Sequence, residues 1–464
     1  MEVHKIFGPP GTGKTTHLLS LLENEFKTIH PSQCAFVSFT RKGTYEGVQR
    51  AKAQFDLSHR ELPFFKTIHA LCFAQLGARK YDMLQKSHYK TFSEAMGMRF
   101  LGFYTEELTS NNDQYLFAEQ LMRNNPKAAQ SFTRDMNAKK LSWVCKNYRQ
   151  FKKQLGVIDF TDLLERYLVE GENLPVKVAF IDEAQDLTTL QWRVVQKMFC
   201  SCDRLYIAGD DDQAIYEWSG ADVDLFLQHP GKPYVLSHSY RLPEAVHSYA
   251  ATISAEIRNR KEKQFTPNDH EGVVEYTTSW DDIDLRQGEQ TLILSRNNCF
   301  LTDAEEALQR RGLVYFKKGA LSVEPRVLSS IRAYEEYRAG KKTRQEIALY
   351  SPYFKTLDEP EIPWFLVLNR DKEEIDYYRS MIANKVDVSS STISLETIHS
   401  SKGSESDHVI LIMDVTNRVN WNFENNPDSE LRCLYVGATR ARKKLTIKLS
   451  NSRHSFPTFK GALQ

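Results

Sequence analysis

The chain has 464 residues, of which 41% are hydrophobic and 26% charged, a composition typical of a folded globular protein. At roughly 150 residues per domain, this length predicts about three domains, or two large ones with insertions. Lys and Arg total 61 against 60 Asp and Glu, so the net charge of +1 excludes polyanion binding driven by overall charge alone.

The sequence predicts neither a membrane span nor a disulfide framework. The longest apolar run covers residues 409–413, whereas a membrane-spanning helix needs about 20 residues. A glycine-rich segment begins at Gly8, which leaves no room for a targeting peptide before it. The seven cysteines are scattered, as is typical of reduced thiols. We therefore expect a protein of the cytoplasm, bacterial or, if virus-encoded, acting in the host cytoplasm.

The first part of the chain predicts a parallel α/β arrangement. Residues 3–7 form a candidate strand, followed by a turn rich in Gly, Pro and Thr and by a helix over residues 17–26. Further strands are predicted at residues 35–39, 178–181 and 205–208, and each is followed by polar residues, as in parallel sheets.

A second α/β set follows, and two helical segments interrupt the pattern. Residues 71–159 are polar and helical in texture, and residues 320–388 are similar but contain several prolines. The strands of the second set are predicted at 234–236, 290–294, 392–395, 408–413 and 445–449. The predicted fold class is α/β, with two parallel-sheet domains and helical insertions. The predicted division is a first domain at 1–70 and 160–233, a helical insertion at 71–159, a second domain at 234–319 and 389–464, and a small accessory insertion at 320–388.

The turn after the first strand has the pattern of a phosphate-binding loop. Residues 8–15 match G-x-x-x-x-G-K-[ST] in the strand–loop–helix context that this pattern requires. Its glycines let backbone N–H groups turn towards phosphates, and the helix N-terminus adds its positive dipole end. Lys14 would contact the β- and γ-phosphates, and Thr15 would ligate Mg²⁺. The candidate nucleotide-binding residues are Gly8, Pro9, Pro10, Gly11, Thr12, Gly13, Lys14, Thr15 and Thr16.

Two adjacent carboxylates follow the predicted strand at residues 178–181. Asp182 would hold the Mg²⁺ shell, and Glu183 would activate the attacking water, as phosphoryl transfer to water requires. The pair therefore favours ATP hydrolysis over nucleotide binding alone.

Together with the phosphate-binding loop, a series of segments in a fixed order resembles the UvrD/Rep-type superfamily 1 DNA helicases. The segments are Ser-Phe-Thr-Arg-Lys at 38–42, Thr-Ile-His-Ala-Leu at 67–71, Ile-Asp-Phe-Thr-Asp-Leu-Leu at 158–164, Asp-Glu-Ala-Gln-Asp at 182–186, Gly-Asp-Asp-Asp-Gln-Ala-Ile-Tyr-Glu-Trp at 209–218, Ser-Tyr-Arg at 239–241, Thr-Ile-His-Ser-Ser-Lys-Gly-Ser-Glu at 397–405 and Tyr-Val-Gly-Ala-Thr-Arg-Ala at 435–441. They cover both α/β halves of the chain.

This resemblance implies two RecA-like P-loop domains that close over ATP and Mg²⁺. Gln213 corresponds to the γ-phosphate sensor, and Arg241 and Arg440 correspond to two arginines brought in from the second domain. A guanidinium placed on the transferring phosphoryl group stabilises the charge of the transition state. Glu405 occupies the position of the ribose contact, although its neighbours differ from the usual apolar residues.

The resemblance also implies a track for single-stranded nucleic acid. Such tracks combine basic grooves with aromatic side chains that stack on bases. The corresponding residues here are Phe39, Thr67, His69, Tyr216, Trp218 and His399. Independently, residues 139–153 carry six Lys and Arg with no acid and with interleaved aromatic residues, which fits either a helix facing nucleic acid or a solvated helix face.

The chain departs from the family pattern in three places. The glutamine-bearing segment that recognises adenine in the family lies upstream of the phosphate-binding loop, and only seven residues precede Gly8 here, so we expect no adenine selectivity by that route. Ser219 follows Trp218 where the family usually has Arg. The accessory insertion at 320–388 is much shorter than is typical of the family.

These features predict an ATP-dependent DNA helicase that moves along single-stranded DNA, 3′ to 5′ by resemblance, in DNA replication or repair. We expect it to bind single strands and single-strand/duplex junctions, with unknown protein partners and no membrane. RNA stays open as a substrate, because phosphates and base faces are common to both nucleic acids. Two alternatives stay open as well: a translocase that displaces proteins without unwinding, and a nucleotide-controlled binding module with little hydrolysis.

Overall fold

A computed structural model describes residues 1–38, 41–58, 60–102, 112–285 and 289–459 of the chain. The chain divides into two compact units. The first comprises Met1–Arg241, Ser254–Asn268 and Pro427–Arg432, and the second comprises Leu242–Ile253, Asp269–Asn426 and Cys433–Gln464. None of the helices in the described ranges is both long and apolar enough to cross a bilayer.

The first unit contains a parallel sheet whose strand order is β3-β2-β4-β5-β1-β6. Its strands are β1 (Glu2–Phe7), β2 (Cys34–Ser38), β3 (Phe64–Phe65), β4 (Val178–Asp182), β5 (Arg204–Gly209) and β6 (Lys232–Val235). The four strands predicted for this part of the chain are confirmed. The assignment of residues 234–236 to the second sheet is wrong, because Tyr234 and Val235 pair with Ile6 and Phe7 of β1.

Helices cover both faces of this sheet. The helices of this part of the chain are α1 (Lys14–Phe26), α2 (Arg41–Phe55), α3 (Ile68–Gln75), α4 (Lys86–Met96), α5 (Asp113–Asn124), α6 (Pro126–Thr133), α7 (Ala138–Leu155), α8 (Phe160–Glu170), α9 (Thr189–Met198) and α10 (Val223–Gln228). Helices α1 and α2 pack on one face of the sheet, and α3, α8, α9 and α10 pack on the other. Successive residues of a strand point to opposite faces. Phe36 and Phe180 accordingly pack with Leu18 on one face, whereas Val37 and Ile181 pack in the core on the other. The sheet is therefore a buried central layer, and its carboxyl edge is where polar side chains emerge.

The segment between β3 and β4 is helical, as predicted. Helices α4, α5 and α7 share a small core of their own, formed by buried Phe92, Phe100, Tyr115, Leu116, Val144 and Tyr148. Within the described residues, this segment adds no strand to the sheet. Its status as a separate domain at 71–159 stays a prediction.

The second unit contains a sheet with the order β10-β9-β11-β8-β12-β13-β7. Its strands are β7 (Val273–Thr277), β8 (Thr291–Ser295), β9 (Tyr315–Lys317), β10 (Ala320–Leu321), β11 (Ile393–Thr397), β12 (Ser406–Ile412) and β13 (Ala441–Lys448). All neighbouring pairs are parallel except β9 and β10, which are antiparallel. The predicted strands near 290, 392, 408 and 445 are confirmed, and the two-domain α/β fold class is confirmed with them.

The remaining helices are α11 (Glu244–Ala255), α12 (Leu301–Arg310), α13 (Pro325–Arg338), α14 (Arg344–Ile347), α15 (Trp364–Val367), α16 (Lys372–Ala383), α17 (Asn417–Asn425) and α18 (Pro427–Ala438). Helices α13 to α16 form the accessory segment within residues 320–388, around a core rich in aromatic side chains that includes Tyr334, Phe354 and Trp364. The helical character predicted for this segment is confirmed, and its boundaries as a subdomain stay a prediction.

Candidate functional site

The phosphate-binding loop lies between the end of β1 at Phe7 and the start of α1 at Lys14. Gly11 and Gly13 both have positive φ angles, 72° and 73°, which L residues with a Cβ rarely adopt. A Cβ added at Gly11 would also lie only 2.3 Å from the Cβ of Arg241. Backbone conformation and space therefore both require glycine at position 11, which the motif itself leaves open.

The four residues predicted to bind phosphate and metal and to activate water lie together at the carboxyl edge of the first sheet. Lys14 Nζ is 3.0 Å from Glu183 Oε1, and Thr15 Oγ1 donates a hydrogen bond of 2.9 Å to Asp182 Oδ2. β4 ends at Asp182, and Glu183 adopts a left-handed backbone conformation with φ 56°. Because of this turn, the two adjacent carboxylates have different partners: Asp182 binds Thr15, and Glu183 binds Lys14.

Burial and charge shift the ionisation of this cluster. Burial of Asp182, followed by the neighbouring Glu183 charge, raises the pKa of the Asp182 carboxyl to about 6. Burial opposes the charge of Lys14, but Glu183, Asp182 and Asp210 outweigh it and raise the pKa of Lys14. Lys14 is thus held as a cation beside two carboxylates. A hydroxyl and a carboxylate oxygen side by side are also the hard oxygen ligands that Mg²⁺ prefers, so the residues fit this metal.

A chain of hydrogen bonds connects the acid pair to the predicted sensor Gln213. Gln185 Nε2 donates to Glu183 Oε2 (2.5 Å), and Gln185 Oε1 accepts from the backbone N–H of Asp210 (3.0 Å). The side chain of Gln213 in turn donates to Asp210 Oδ2 (2.5 Å). The sequence places Gln185 in the Asp-Glu-Ala-Gln-Asp segment without predicting a function for its side chain. Its position links β4 to the loop after β5.

Arg241 lies beside the phosphate-binding loop, but in the first unit and not in the second, where we expected it. The preceding residues bind this loop directly: Ser239 Oγ donates to the carbonyl of Pro10 (2.7 Å), and the Tyr240 N–H donates to the carbonyl of Gly11 (2.9 Å). The ring of Tyr240, whose side chain is 74% exposed, is near Gly13. The sequence places Tyr240 in the Ser-Tyr-Arg segment without predicting a role for it, and its exposed ring beside the phosphate-binding loop makes it a candidate site residue.

Arg440 and Glu405 belong to the second unit. The guanidinium of Arg440 is buried and donates to the carbonyls of Val436 (2.9 Å) and Ser404 (3.3 Å). Glu405 follows Ser404 and is exposed, with Arg442 at 3.6 Å. Two segments that are distant in sequence are thus brought together around Arg440.

The predicted nucleic-acid residues have different environments. Trp218 is half-buried and stacks on Phe117 of α5, with ring centroids 6.0 Å apart, and Tyr216 nearby is also half-buried. Thr67 caps α3 by accepting a hydrogen bond from the Ala70 N–H (3.3 Å), which gives it a structural role.

The two predicted histidines are also half-buried. His69 packs edge-on against the exposed ring of Phe160, and His399 lies 3.9 Å from Cys433 Sγ. Phe39 lies outside the described residues.

The basic segment at 139–153 forms α7, but its bases do not share one face. Lys152 points inward and binds Asp159 (2.5 Å) and Asp162 (2.6 Å), while Arg149 binds Glu119 (2.9 Å). The exposed side chains that remain at helical spacing are Lys139, Trp143, Lys146 and Lys153. Part of the predicted patch is therefore an internal ion-pair network, and a narrower basic stripe stays on the surface.

Comparison with known proteins agrees with this arrangement. Residues 2–233 match the model of the UvrD/REP helicase N-terminal domain, and residues 369–452 match the model of the UvrD-like helicase C-terminal domain. The first match spans half of the chain and includes the phosphate-binding loop, the acid pair and Gln213. The second includes Arg440.

Curated relatives carry helicase names. The chain is 24% identical over 320 residues to the ATP-dependent DNA helicase Rep of Buchnera aphidicola subsp. Baizongia pistaciae. This alignment covers 63% of the present chain and 47% of the relative. The chain is also 24% identical over 287 residues to the ATP-dependent DNA helicase PcrA of Staphylococcus epidermidis, covering 56% of this chain and 38% of the relative. The matched part is thus less than half the length of these relatives.

Among solved structures, an arterivirus nonstructural protein 10 helicase in complex with DNA aligns over 99% of this chain and 62% of its own. The TM-score is 0.37 and the identity 12%, too low to establish a shared fold. The two domain matches, in the order that the motifs predict and with the site geometry they require, decide the classification. The chain belongs to the UvrD/Rep-type superfamily 1 helicases.

Proposed function

We propose that the protein is an ATP-driven motor that moves along single-stranded DNA and separates strands, with 3′-to-5′ polarity. The observation that carries this proposal is the cluster of Lys14, Thr15, Asp182 and Glu183 at one sheet edge, joined to Gln213 by hydrogen bonds. The curated relatives named above as ATP-dependent DNA helicases support the choice of reaction and substrate.

For hydrolysis, the chain supplies a general base and fixed charges. Thr15 and Asp182 would hold Mg²⁺, which neutralises phosphate charge when bound. Glu183 accepts hydrogen bonds from Lys14 and Gln185, so its carboxylate is oriented before nucleotide arrives. Entry of phosphate would draw Lys14 towards the negative oxygens and free one carboxylate oxygen to accept a proton from the attacking water.

The exposed ring of Tyr240 supports a way to hold the base of the nucleotide. The ring stands beside the phosphate-binding loop, and exposed aromatic faces stack on purines. We infer that Tyr240 contributes affinity for the base by stacking, an interaction that does not by itself select adenine.

Coupling between ATP and the strand is proposed to pass through one short loop. Gln213 and Trp218 are five positions apart in the segment that follows β5, so a change at the γ-phosphate sensor acts on a half-buried aromatic residue nearby. This loop is anchored at its far end, where Asn125 Nδ2 donates to the carbonyl of Gly220 (3.2 Å). An anchored loop transmits a shift instead of absorbing it.

The proposal is tested by strand displacement with ATP on duplexes that carry a 3′ or a 5′ single-stranded tail. We expect displacement from the 3′-tailed duplex and none from the 5′-tailed one, and the Glu183→Gln variant serves as the inactive control. Displacement from the 5′-tailed duplex alone would overturn the polarity. An RNA tail of the same sequence, run in parallel, decides between the two nucleic acids.

A second candidate is a translocase that strips proteins from single strands without unwinding. The compact accessory segment around Tyr334 and Trp364 favours it, because little chain is available there to engage a duplex. DNA-stimulated ATP turnover with release of streptavidin from a biotinylated strand, but without strand displacement, would select this candidate. Tight nucleotide-dependent binding with no turnover would instead indicate a binding module.

A further inference from the structure

Lys263 lies at the centre of three buried aspartates that precede Gln213. Its ammonium nitrogen is 3.0 Å from Asp210 Oδ1, 2.6 Å from Asp211 Oδ1 and 2.9 Å from Asp212 Oδ2. The side chains of all four residues are fully buried. Lys263 comes from the segment Ser254–Asn268, which lies in the first unit although it follows Arg241 in sequence.

The neighbouring residues complete the charge balance of this cluster. Arg260 binds Asp212 through two hydrogen bonds (2.8 and 2.6 Å), and the backbone N–H of Lys261 donates to Asp211 (2.7 Å). Two cations therefore face three carboxylates. Burial opposes the charge of Lys263, but the three aspartates outweigh it and raise its pKa. Burial also opposes the charge of the Asp211 carboxylate, and it therefore raises the pKa of Asp211.

The cluster is connected directly to the sensor. Asp210 uses one carboxylate oxygen for Lys263 and the other for the amide of Gln213, at 3.0 and 2.5 Å. The backbone N–H of Asp210 donates to Gln185, which also holds Glu183. Lys263 is thus one carboxylate away from Gln213. Together with the backbone N–H of Asp212 (3.3 Å), it holds the Asp210 carboxylate that Gln213 binds.

We propose that Lys263 is a positioning residue for Gln213, holding the Asp210 carboxylate so that the sensor amide is aimed before nucleotide binds. The proposal rests on the proposed function, since it assigns a part in ATP hydrolysis. A purely structural counter-ion would stabilise the first unit equally whether or not Gln213 is present. A positioning residue acts on turnover only through Gln213, and this difference can be measured.

The test is a double-mutant cycle on ATP turnover. Because Lys263→Met alone leaves three carboxylates against one cation, it is paired with Asp211→Asn, which restores the charge balance without touching the Asp210–Gln213 contact. We expect this double variant to lower kcat at least 10-fold relative to the wild type, with the KM for ATP changed less than 3-fold. Lys263→Arg, which keeps a cation at this position, should retain part of the activity that the double variant loses. In a Gln213→Ala background, the same pair should lower kcat less than 2-fold further.

Two results would overturn the proposal. One is an equal loss of kcat in both backgrounds, which indicates a structural role only. The other is a crystal structure of the charge-balanced pair in which Gln213 still binds Asp210 at the same distance. This second readout needs no turnover, so it decides the role of Lys263 even if the wild-type chain hydrolyses no ATP. Absence of ATP hydrolysis by the wild-type chain would count against the proposed function instead. Lys261→Met, an exposed neighbour that contributes only its backbone N–H, is the matched control.

Discussion

The ammonium of Lys14 lies 3.0 Å from the carboxylate of Glu183, so the predicted phosphate ligand and the predicted general base form an ion pair. The pair is largely shielded from solvent, with 11% of the Lys14 side chain and 28% of the Glu183 side chain exposed. Each residue satisfies the other's charge, and ATP would have to separate them. We therefore expect nucleotide binding and activation of the base to be linked.

Replacement of either partner should stop ATP turnover while the fold persists. We expect Glu183→Gln to lower kcat at least 100-fold, as is typical when a positioned proton-transfer group is lost. We expect a loss of similar size from Lys14→Ala, because this variant removes a fixed positive charge from the transferring phosphate. Glu183→Gln is nearly isosteric, and its amide oxygen can still accept from Gln185. Phosphate release measures the effect, and circular dichroism checks the fold. Normal turnover in both variants would contradict the site assignment.

Arg440→Ala should lower kcat far more than affinity for single-stranded DNA. Arginines that stabilise a transferring phosphoryl group contribute on the order of 1,000-fold or more to rate. Steady-state ATP turnover and fluorescence anisotropy with a labelled oligonucleotide give the two quantities. Arg418→Ala, at an exposed arginine of α17 in the second unit, is the control and should leave kcat within 2-fold. A selective loss of DNA binding in Arg440→Ala would disprove the role in catalysis.

Trp218→Ala should weaken single-strand binding by about 1–3 kcal/mol, the usual contribution of one base–aromatic stack. Trp218→Phe should retain part of this affinity, since Phe keeps a ring against Phe117. Oligonucleotide titrations at fixed salt give the affinities. Trp421→Ala, at an exposed tryptophan of the second unit, is expected to change nothing. Unchanged affinity and translocation in Trp218→Ala would remove Trp218 from the track.

The exposed stripe on α7 should contribute electrostatically to nucleic-acid binding. If Lys139, Lys146 and Lys153 each contact one phosphate, their triple replacement by Ala makes the plot of log association constant against log salt less steep. The magnitude of the slope should fall by about 2, at about 0.7 per contact for single strands. Affinities measured across a salt series test this. The matched control is the triple replacement of Lys341, Lys355 and Lys372, which are also exposed. An equal change in slope for both triples would show that α7 makes no specific contribution.

Acid should destabilise the second unit through His408. His408 is buried between β strands, and its ring nitrogen Nε2 donates to Thr446 Oγ1 (2.8 Å), whose hydroxyl donates to Glu275 (2.7 Å). Burial, reinforced by the Lys444 charge, lowers the pKa of His408 to about 4. Between pH 6.5 and 4 the unfolded chain binds a proton that the folded chain does not, so the free energy of unfolding falls as pH falls.

The full difference is worth roughly 3 kcal/mol, at about 1.4 kcal/mol for each pKa unit. Urea unfolding at pH 7 and pH 4.5 measures it, and His408→Gln should lose most of this dependence. His270→Gln, at an exposed histidine, should keep it. If His408→Gln responds to acid as the wild type does, His408 is not the responsible group.

The parts of the nucleotide site that depend on short sequence spacing were predictable. Gly11, Lys14 and Thr15 lie within one loop and the first turn of one helix, so their relation is set by local backbone geometry. Asp182 and Glu183 follow an apolar strand, and parallel strands present their carboxyl ends at one edge of the sheet. The sequence pattern therefore predicts that these residues lie close together, and in the structure they do.

Other relations were decided only by tertiary structure, because they join residues that no periodicity connects. The strand at 232–235 looks like the start of a second sheet, but backbone hydrogen bonding to β1 places it in the first. Lys152 looks like one more base of a basic helix, but burial against Asp159 and Asp162 makes it an internal counter-ion. Lys263 has no motif around it, and only the folded chain brings it to the aspartates that hold Gln213.

The fold class, the family and the candidate residues of the phosphate and acid motifs could be predicted from the sequence, because they depend on the apolar pattern of the strands and on short motifs in a fixed order. The structure alone decided how the charges are neutralised. A buried carboxylate must find a cation wherever the chain can supply one, and that partner is selected by three-dimensional proximity, not by position along the sequence.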